Sequence, residues 1–254
     1  MKEILIGALS FLCLAAAGIG AMVLHSRLPE KHLRDDTQAT IRLVANIFVV
    51  MTSLVLGLMM NSARNTYESI DHNIHAFATD LVLLDRAVRA VGPEGEETRR
   101  RLVAYVQRAV GDAPVVENDS SAELLLEEVG TTLRAIKPAD DQKAAIWNDA
   151  RQLYREVVHQ RWIIIEQSEG ALPTPLVALV IAWLVAIFAS FGYRAPKNAV
   201  VATTLVLAAF LMAGSIYLML DMDVPSSGLI QASNRSLQRV LADLQQGNGP
   251  MPVR

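Results

Sequence analysis

The 254-residue sequence contains a single cysteine, Cys13. One chain therefore cannot build a disulfide or a multi-cysteine zinc site, which excludes a disulfide-stapled secreted scaffold. Charge is also scarce, at 19% Asp, Glu, Lys and Arg against 52% hydrophobic residues, with a mean hydropathy of +0.30. An ordinary soluble domain is more polar than this. Recognisable catalytic motifs are missing too: there is no nucleophile-elbow pentapeptide, no phosphate-cradling glycine loop and no His-Glu helix motif of a zinc hydrolase. Nothing in the chain points to an enzyme, a catalytic residue or a cofactor. No segment alternates with period two over a useful length, so no sheet is expected.

What the sequence does contain is four runs without a charge: Ile4 to Leu24, Leu43 to Ala63, Leu176 to Tyr193 and Ala199 to Leu220. At about 1.5 Å per residue each run reaches about 27 to 33 Å, the thickness of a bilayer's hydrocarbon core. Lys2 and Ala15-Ala16-Ala17 give the first run some features of a signal peptide. It is nevertheless longer than a typical apolar region of about 7 to 15 residues, and it is read as a retained helix. The expected fold is an all-α integral membrane protein with four transmembrane helices and a helical extramembrane insert. By residue number, 1–63 carry helices one and two, 64–170 the insert, 171–220 helices three and four, and 221–254 a tail with an amphipathic helix. The lipid bilayer is the first partner this implies.

An even number of spans puts the insert and both termini on one side of the membrane. The insert has a net charge of -6, while the short link Arg194 to Asn198 has +2. Basic residues near the span ends set orientation. The two short connections hold Arg27, Lys31, Arg34, Arg42, Arg194 and Lys197, and the opposite side holds a nearly equal number, so charge leaves the orientation open.

The insert begins with a heptad-like seam: Tyr67, Ile70, Ile74, Phe77, Leu81, Leu84, Val88 and Val91 recur at spacings of three and four. No helix breaker separates this seam from the second span. The spacing predicts one long helix that leaves the membrane and ends at Gly92-Pro93. Further helices are predicted over Glu94 to Val110, from Ser120 with Glu123 completing a capping box, and over Ala139 to Glu169 with Ile146, Ala150, Leu153 and Val157 on one face. In the tail, Pro225-Ser226-Ser227-Gly228 reads as a turn. A helix from Ser233 would turn Leu237, Val240, Leu241 and Leu244 inward.

Few polar groupings suggest chemistry. His72 and His75, beside Asp71, have the i, i+3 spacing of a metal pair but lack further ligands, and a solvated face is the better reading. Arg99, Arg100 and Arg101 sit in an acidic insert without interleaved aromatics, which favours a solvated helix face over nucleic-acid contact. Asp221 and Asp223, directly after the fourth span, could contribute to an ion or gating site, but the loop lacks the spacing of an EF-hand, and taken alone helix-end polar residues are the better reading. The second span is more informative: Asn46, Ser53, Gly57 and Asn61 make one polar or small stripe on an otherwise Val/Leu/Met helix. Polar groups in hydrocarbon need partners or water, so the stripe either lines a wetted pore or packs tightly against another helix.

Leu54-Val55-Leu56-Gly57-Leu58 with Asn61-Ser62-Ala63, then Leu83-Leu84-Asp85-Arg86 and Gly92-Pro93-Glu94, resemble the bestrophin-like family of membrane proteins. So do Ser190-Phe191-Gly192 with Ala195-Pro196-Lys197-Asn198, and Leu220-Asp221-Met222-Asp223 with Ser227-Gly228-Leu229-Ile230. The resemblance implies a pentameric ion channel of a bacterial plasma membrane, with the insert and termini in the cytoplasm and a pore lined by the second span. It also implies a constriction at the position after the span-two glycine and four and eight residues earlier, here Leu58, Leu54 and Val50. These three share a helix face next to the polar stripe, and a hydrophobic ring of this kind would gate by dewetting. Bestrophins carry aromatic residues in the constriction and a dense acidic clasp after the fourth span. Aliphatic residues and only Asp221 and Asp223 stand here, which weighs against calcium gating. A vestibule lined by an insert of charge -6 would favour cations among the inorganic ions. The rival expectation is a non-conducting scaffold, in which the seam from Tyr67 to Val91 and the amphipathic tail bind a protein partner.

Overall fold

The structure is a computed structural model and describes residues 2–25, 35–110, 120–168, 170, 172–193, 195–224 and 235–246. The described residues are helical, with no strand among them: α1 (Lys2–His25), α2 (Asp35–Val91), α3 (Glu96–Val110), α4 (Ser120–Ala135), α5 (Asp141–Gln167), α6 (Thr174–Gly192), α7 (Ala199–Asp223) and α8 (Arg235–Gln246). Four of them, α1, α2, α6 and α7, are long and apolar enough to cross a membrane.

The long second helix forms as its periodicity predicts and runs for 57 residues. Its start differs from the expectation: it begins at Asp35, eight residues ahead of the apolar run. Between Pro29 and the span no glycine or proline interrupts the chain, and a helix needs no apolar residue to extend into the interface. Residues 26–34, with Arg27, Lys31 and Arg34, lie outside the described residues. The helix stops at Gly92, whose φ of 101° is a left-handed conformation that side-chain-bearing residues rarely adopt.

The helix expected from Glu94 opens instead with a tight 3-10 turn over Pro93–Gly95, closed by the Gly95 amide donating to the Gly92 carbonyl at 2.9 Å. The helix expected from Ala139 starts at Asp141, because the Asp140 carboxylate accepts the Lys143 amide at 2.7 Å and caps it there. The cap of α7 is similar, with the Asn198 side chain accepting the Val201 amide at 2.8 Å. The fourth span reaches Asp223, so Asp221 and Asp223 belong to the last turn of α7 rather than to a following loop. The turn expected at Pro225-Ser226-Ser227-Gly228 and the helix start at Ser233 lie outside the described residues.

The chain divides into two compact units, Met1–Thr66 with Gly170–Ile230, and Tyr67–Glu169 with Gln231–Arg254. In the first, Leu14, Met59, Val180, Leu184, Phe188 and Ile216 form a core drawn from all four spans. Here α1 packs on α6 so closely that a Cβ at Gly192 would land on the carbonyl oxygen of Gly18. This is the small-residue contact that lets helices approach in lipid.

In the second unit the seam is the core. Ile70, Ile74, Phe77, Leu81, Leu84, Val88 and Val91 are all at most 1% exposed and pack with residues of α3, α4, α5 and α8. Each contributes about 1.5–3 kcal/mol of burial relative to exposure. Phe77 meets Tyr105 edge to face, with centroids 6.4 Å apart. Burial pushes the Tyr105 phenol well above its ordinary pKa, against the opposing pull of Arg161 beside it. The tail helix completes this core through Leu237, Val240 and Leu244, with Leu241 partly buried.

Candidate functional site

Within the membrane unit, α2 has two unlike sides. Ala45, Thr52, Met59 and Ala63 are buried, whereas Val50, Leu54 and Leu58 are 68%, 61% and 62% exposed. Asn46, Ser53, Gly57 and Asn61 are exposed with them. At about 100° per residue, the buried four fall within about 40° of one another, and the seven exposed residues occupy about 140° on the opposite side. Polar stripe and aliphatic ridge are therefore one surface, turned away from the side of α2 that packs on the rest of the membrane unit.

The contents of that surface are informative. A Cβ built on Gly57 meets nothing within 4 Å, so no helix of this chain uses the glycine for close approach. The Ser53 hydroxyl donates to the Val49 carbonyl at 2.8 Å, the usual back-bond of a serine in an apolar helix. Of the four candidate spans, the apolar stretch of α2 is the least buried. Amide side chains exposed on such a helix call for water or for another chain.

The remaining sequence candidates separate. Asp221 and Asp223 are both buried, at 1% and 3% exposure. Asp223 accepts the Leu172 amide at 3.0 Å, which fastens the end of α7 to the segment leading into α6. Tyr217 reaches Asp221 at 3.5 Å. His72 and His75 lie on an exposed face, and one ring nitrogen of His75 is 2.8 Å from the Asp71 carbonyl. No group of three or more metal-ligating side chains occurs among the described residues.

The arginine run is a correction. Arg100 and Arg101 are exposed and pair with Glu97, and Arg101 also reaches Glu128 at 2.7 Å; hydrogen bonding from Arg101 lowers the pKa of Glu97. Arg99 is buried. Its Nε lies 3.0 Å from Asp85 Oδ1, while Arg89 approaches Oδ2 of the same carboxylate at 2.6 Å. A second Arg99 nitrogen donates to the Leu244 carbonyl at the end of α8, at 2.8 Å. The signal was available: Arg99 stands three and seven residues ahead of Leu102 and Val106 and so shares their inward face.

The chain matches the bestrophin-like domain over residues 12–237, most of its length. It belongs to the bestrophin-like family. Its fold is similar to crystal structures of a bacterial bestrophin homologue from Klebsiella pneumoniae. A tyrosine-to-alanine variant has 12% identity and a TM-score of 0.69, with 98% of this chain and 100% of that one covered. An isoleucine-to-threonine variant gives 12% and 0.58, covering 96% and 100%. A membrane protein with a proline-to-alanine substitution gives 13% and 0.59, covering 97% and 100%. At such identities the likeness is one of fold. No curated protein matches the sequence. The bestrophin-like chain thus has the all-helical, four-span architecture with a helical insert that its motifs implied.

Proposed function

We propose that this bestrophin-like protein is an ion channel of a bacterial plasma membrane, assembled as a closed ring of subunits, a pentamer by analogy. In this reading α2 of each copy faces the axis, Val50, Leu54 and Leu58 form the neck, and Asn46, Ser53, Gly57 and Asn61 line the wetted wall beside it. The observation that carries the proposal is the exposed face of α2: amide groups and an uncontacted glycine lie opposite the side that packs on the chain's own spans. Among the ions, the acidic insert favours cations. Asp221 and Asp223, buried at the end of α7, would act through the position of that helix end.

The faces that a scaffold would offer to a partner protein are already occupied. The seam from Ile70 to Val91 and the apolar side of α8 lie in the chain's own core.

The test begins with the subunit count of the detergent-extracted protein by native mass measurement. A closed ring of at least four copies is expected, and a monomer or dimer would overturn the reading. In liposomes, Leu58→Ala is then expected to raise ion flux about tenfold or more by widening and wetting the neck. Unchanged flux in a protein that conducts would remove these residues from the neck.

A further inference from the structure

The membrane unit contains an open cavity of about 430 Å³ between α2, α6 and α7, walled on α2 by Thr52 and Leu56 of its packed side and by Ser53 at the edge of the stripe described above. Its walls are mainly apolar, with Phe188, Phe191 and Ala208 among them, and no Lys, Arg, Asp or Glu takes part. Three hydroxyl residues do: Thr52, Ser53 and Ser215. Volume and lining fit a small-molecule site, which is typically apolar with a few polar groups that orient the ligand.

The hydroxyls define the ligand's chemistry. Ser53 donates to the Val49 carbonyl at 2.8 Å and Ser215 to the Leu211 carbonyl at 3.0 Å, so their protons are committed to their own helices and their lone pairs remain as acceptors. Thr52, only 2% exposed, has a hydroxyl oxygen without a hydrogen-bond partner. A buried hydroxyl left unpaired in hydrocarbon is costly, and most are paired. A plain acyl chain would fill the space and leave these acceptors unmatched. A phospholipid headgroup does not reach them either, since Thr52 is the tenth of the 21 residues from Leu43 to Ala63 and so lies near mid-bilayer.

We propose that the cavity binds a small, uncharged, membrane-soluble alcohol or phenol, with its O–H donating to a serine oxygen, its own oxygen accepting from the Thr52 hydroxyl, and its apolar body against Phe188 and Phe191. Ser53 is adjacent to Leu54, so an occupant would touch α2 directly. The proposal does not depend on α2 lining a pore.

The experiment uses the full-length protein in nanodiscs, labelled with octanol carrying a photoreactive diazirine, with adducts mapped by mass spectrometry. Saturable labelling is expected on the cavity walls, over residues 49–56, 187–191 and 208–215. Ala208→Trp fills the space from α7 and is expected to reduce those adducts about tenfold while leaving adducts elsewhere unchanged. Thr52→Val with Ser215→Ala keeps the shape and removes two hydroxyls, so half-saturation should need about three- to tenfold more probe. This conservative pair remains informative if the tryptophan variant does not fold. Three results would overturn the proposal: equal labelling by the matching diazirine alkane, labelling that does not saturate, or cavity adducts that appear only after the protein is dissociated into single chains. The last would mean that neighbouring copies cover the cavity.

Discussion

Two stretches of α2 carry similar apolar residues in opposite circumstances. In the second unit, Ile70, Phe77, Leu81 and Leu84 are completely buried, whereas in the membrane unit Val50, Leu54 and Leu58 are more than 60% exposed. In water an apolar seam must find a protein partner, so the seam serves as the core of the insert. In lipid, leucine meets solvent as apolar as itself, and burial is no longer the organising force. Exposed leucines in the span therefore carry little information. The informative residues on that face are Asn46, Ser53 and Asn61, because their polar groups are at odds with hydrocarbon.

The sharpest way to break this comparison is to shorten one side chain in each stretch. Phe77→Ala is expected to destabilise the protein by about 3–5 kcal/mol, the range for emptying a packed aromatic site. Leu54→Ala should cost under about 0.5 kcal/mol in dissociated single chains, since it empties no packed site. Thermal unfolding of detergent-solubilised protein compares the two, and a large loss from Leu54→Ala in single chains would mean that the face is packed after all.

Asp85→Ala tests the polar centre of the insert and is expected to cost about 3 kcal/mol or more, because it leaves the buried Arg99 without its carboxylate. As Arg99 also holds the Leu244 carbonyl, limited proteolysis should cut near α8 sooner in the variant. Gly192→Ala examines the membrane unit by its own rule: a methyl group against the Gly18 carbonyl must separate α1 from α6, at about 1–3 kcal/mol. A neutral result would mean that the two helices are not held in close contact.

The smallest effect concerns Asp80. Burial, and then Glu156 nearby, raise its pKa above the ordinary carboxylate value. The folded protein then holds the proton more tightly than the unfolded chain, so the ionised carboxylate is a cost that builds as pH rises through the folded value. Asp80→Asn should raise the unfolding temperature slightly at pH 7, and the gain should vanish below about pH 4, where both states are protonated. A gain that persisted in acid would have another origin than charge.

Much of this architecture was legible from residue order. The four spans follow from length and lack of charge, the uninterrupted α2 from its unbroken three-four spacing, and its end from Gly92 followed by Pro93. The stripe on α2 was legible for the same reason: a few polar residues on an apolar helix stand out by period alone. Arg99 was misjudged because three consecutive arginines look alike in composition, and only the neighbouring leucine and valine spacing sets one of them inward. The contact of Asp223 with the Leu172 amide joins positions 51 residues apart, and no local pattern reports such a pairing.

By itself, the sequence determined where the chain crosses the membrane, where its longest helix begins to need a core, and which residues of that helix conflict with lipid. Periodicity and hydropathy are local properties, and they act before any partner is chosen. Tertiary structure alone decided which apolar faces meet. The spans α6 and α7 are apolar on every side, so only their packing shows which residues leave a cavity, and only the docking of α8 shows that its apolar side closes the insert's core rather than facing a partner.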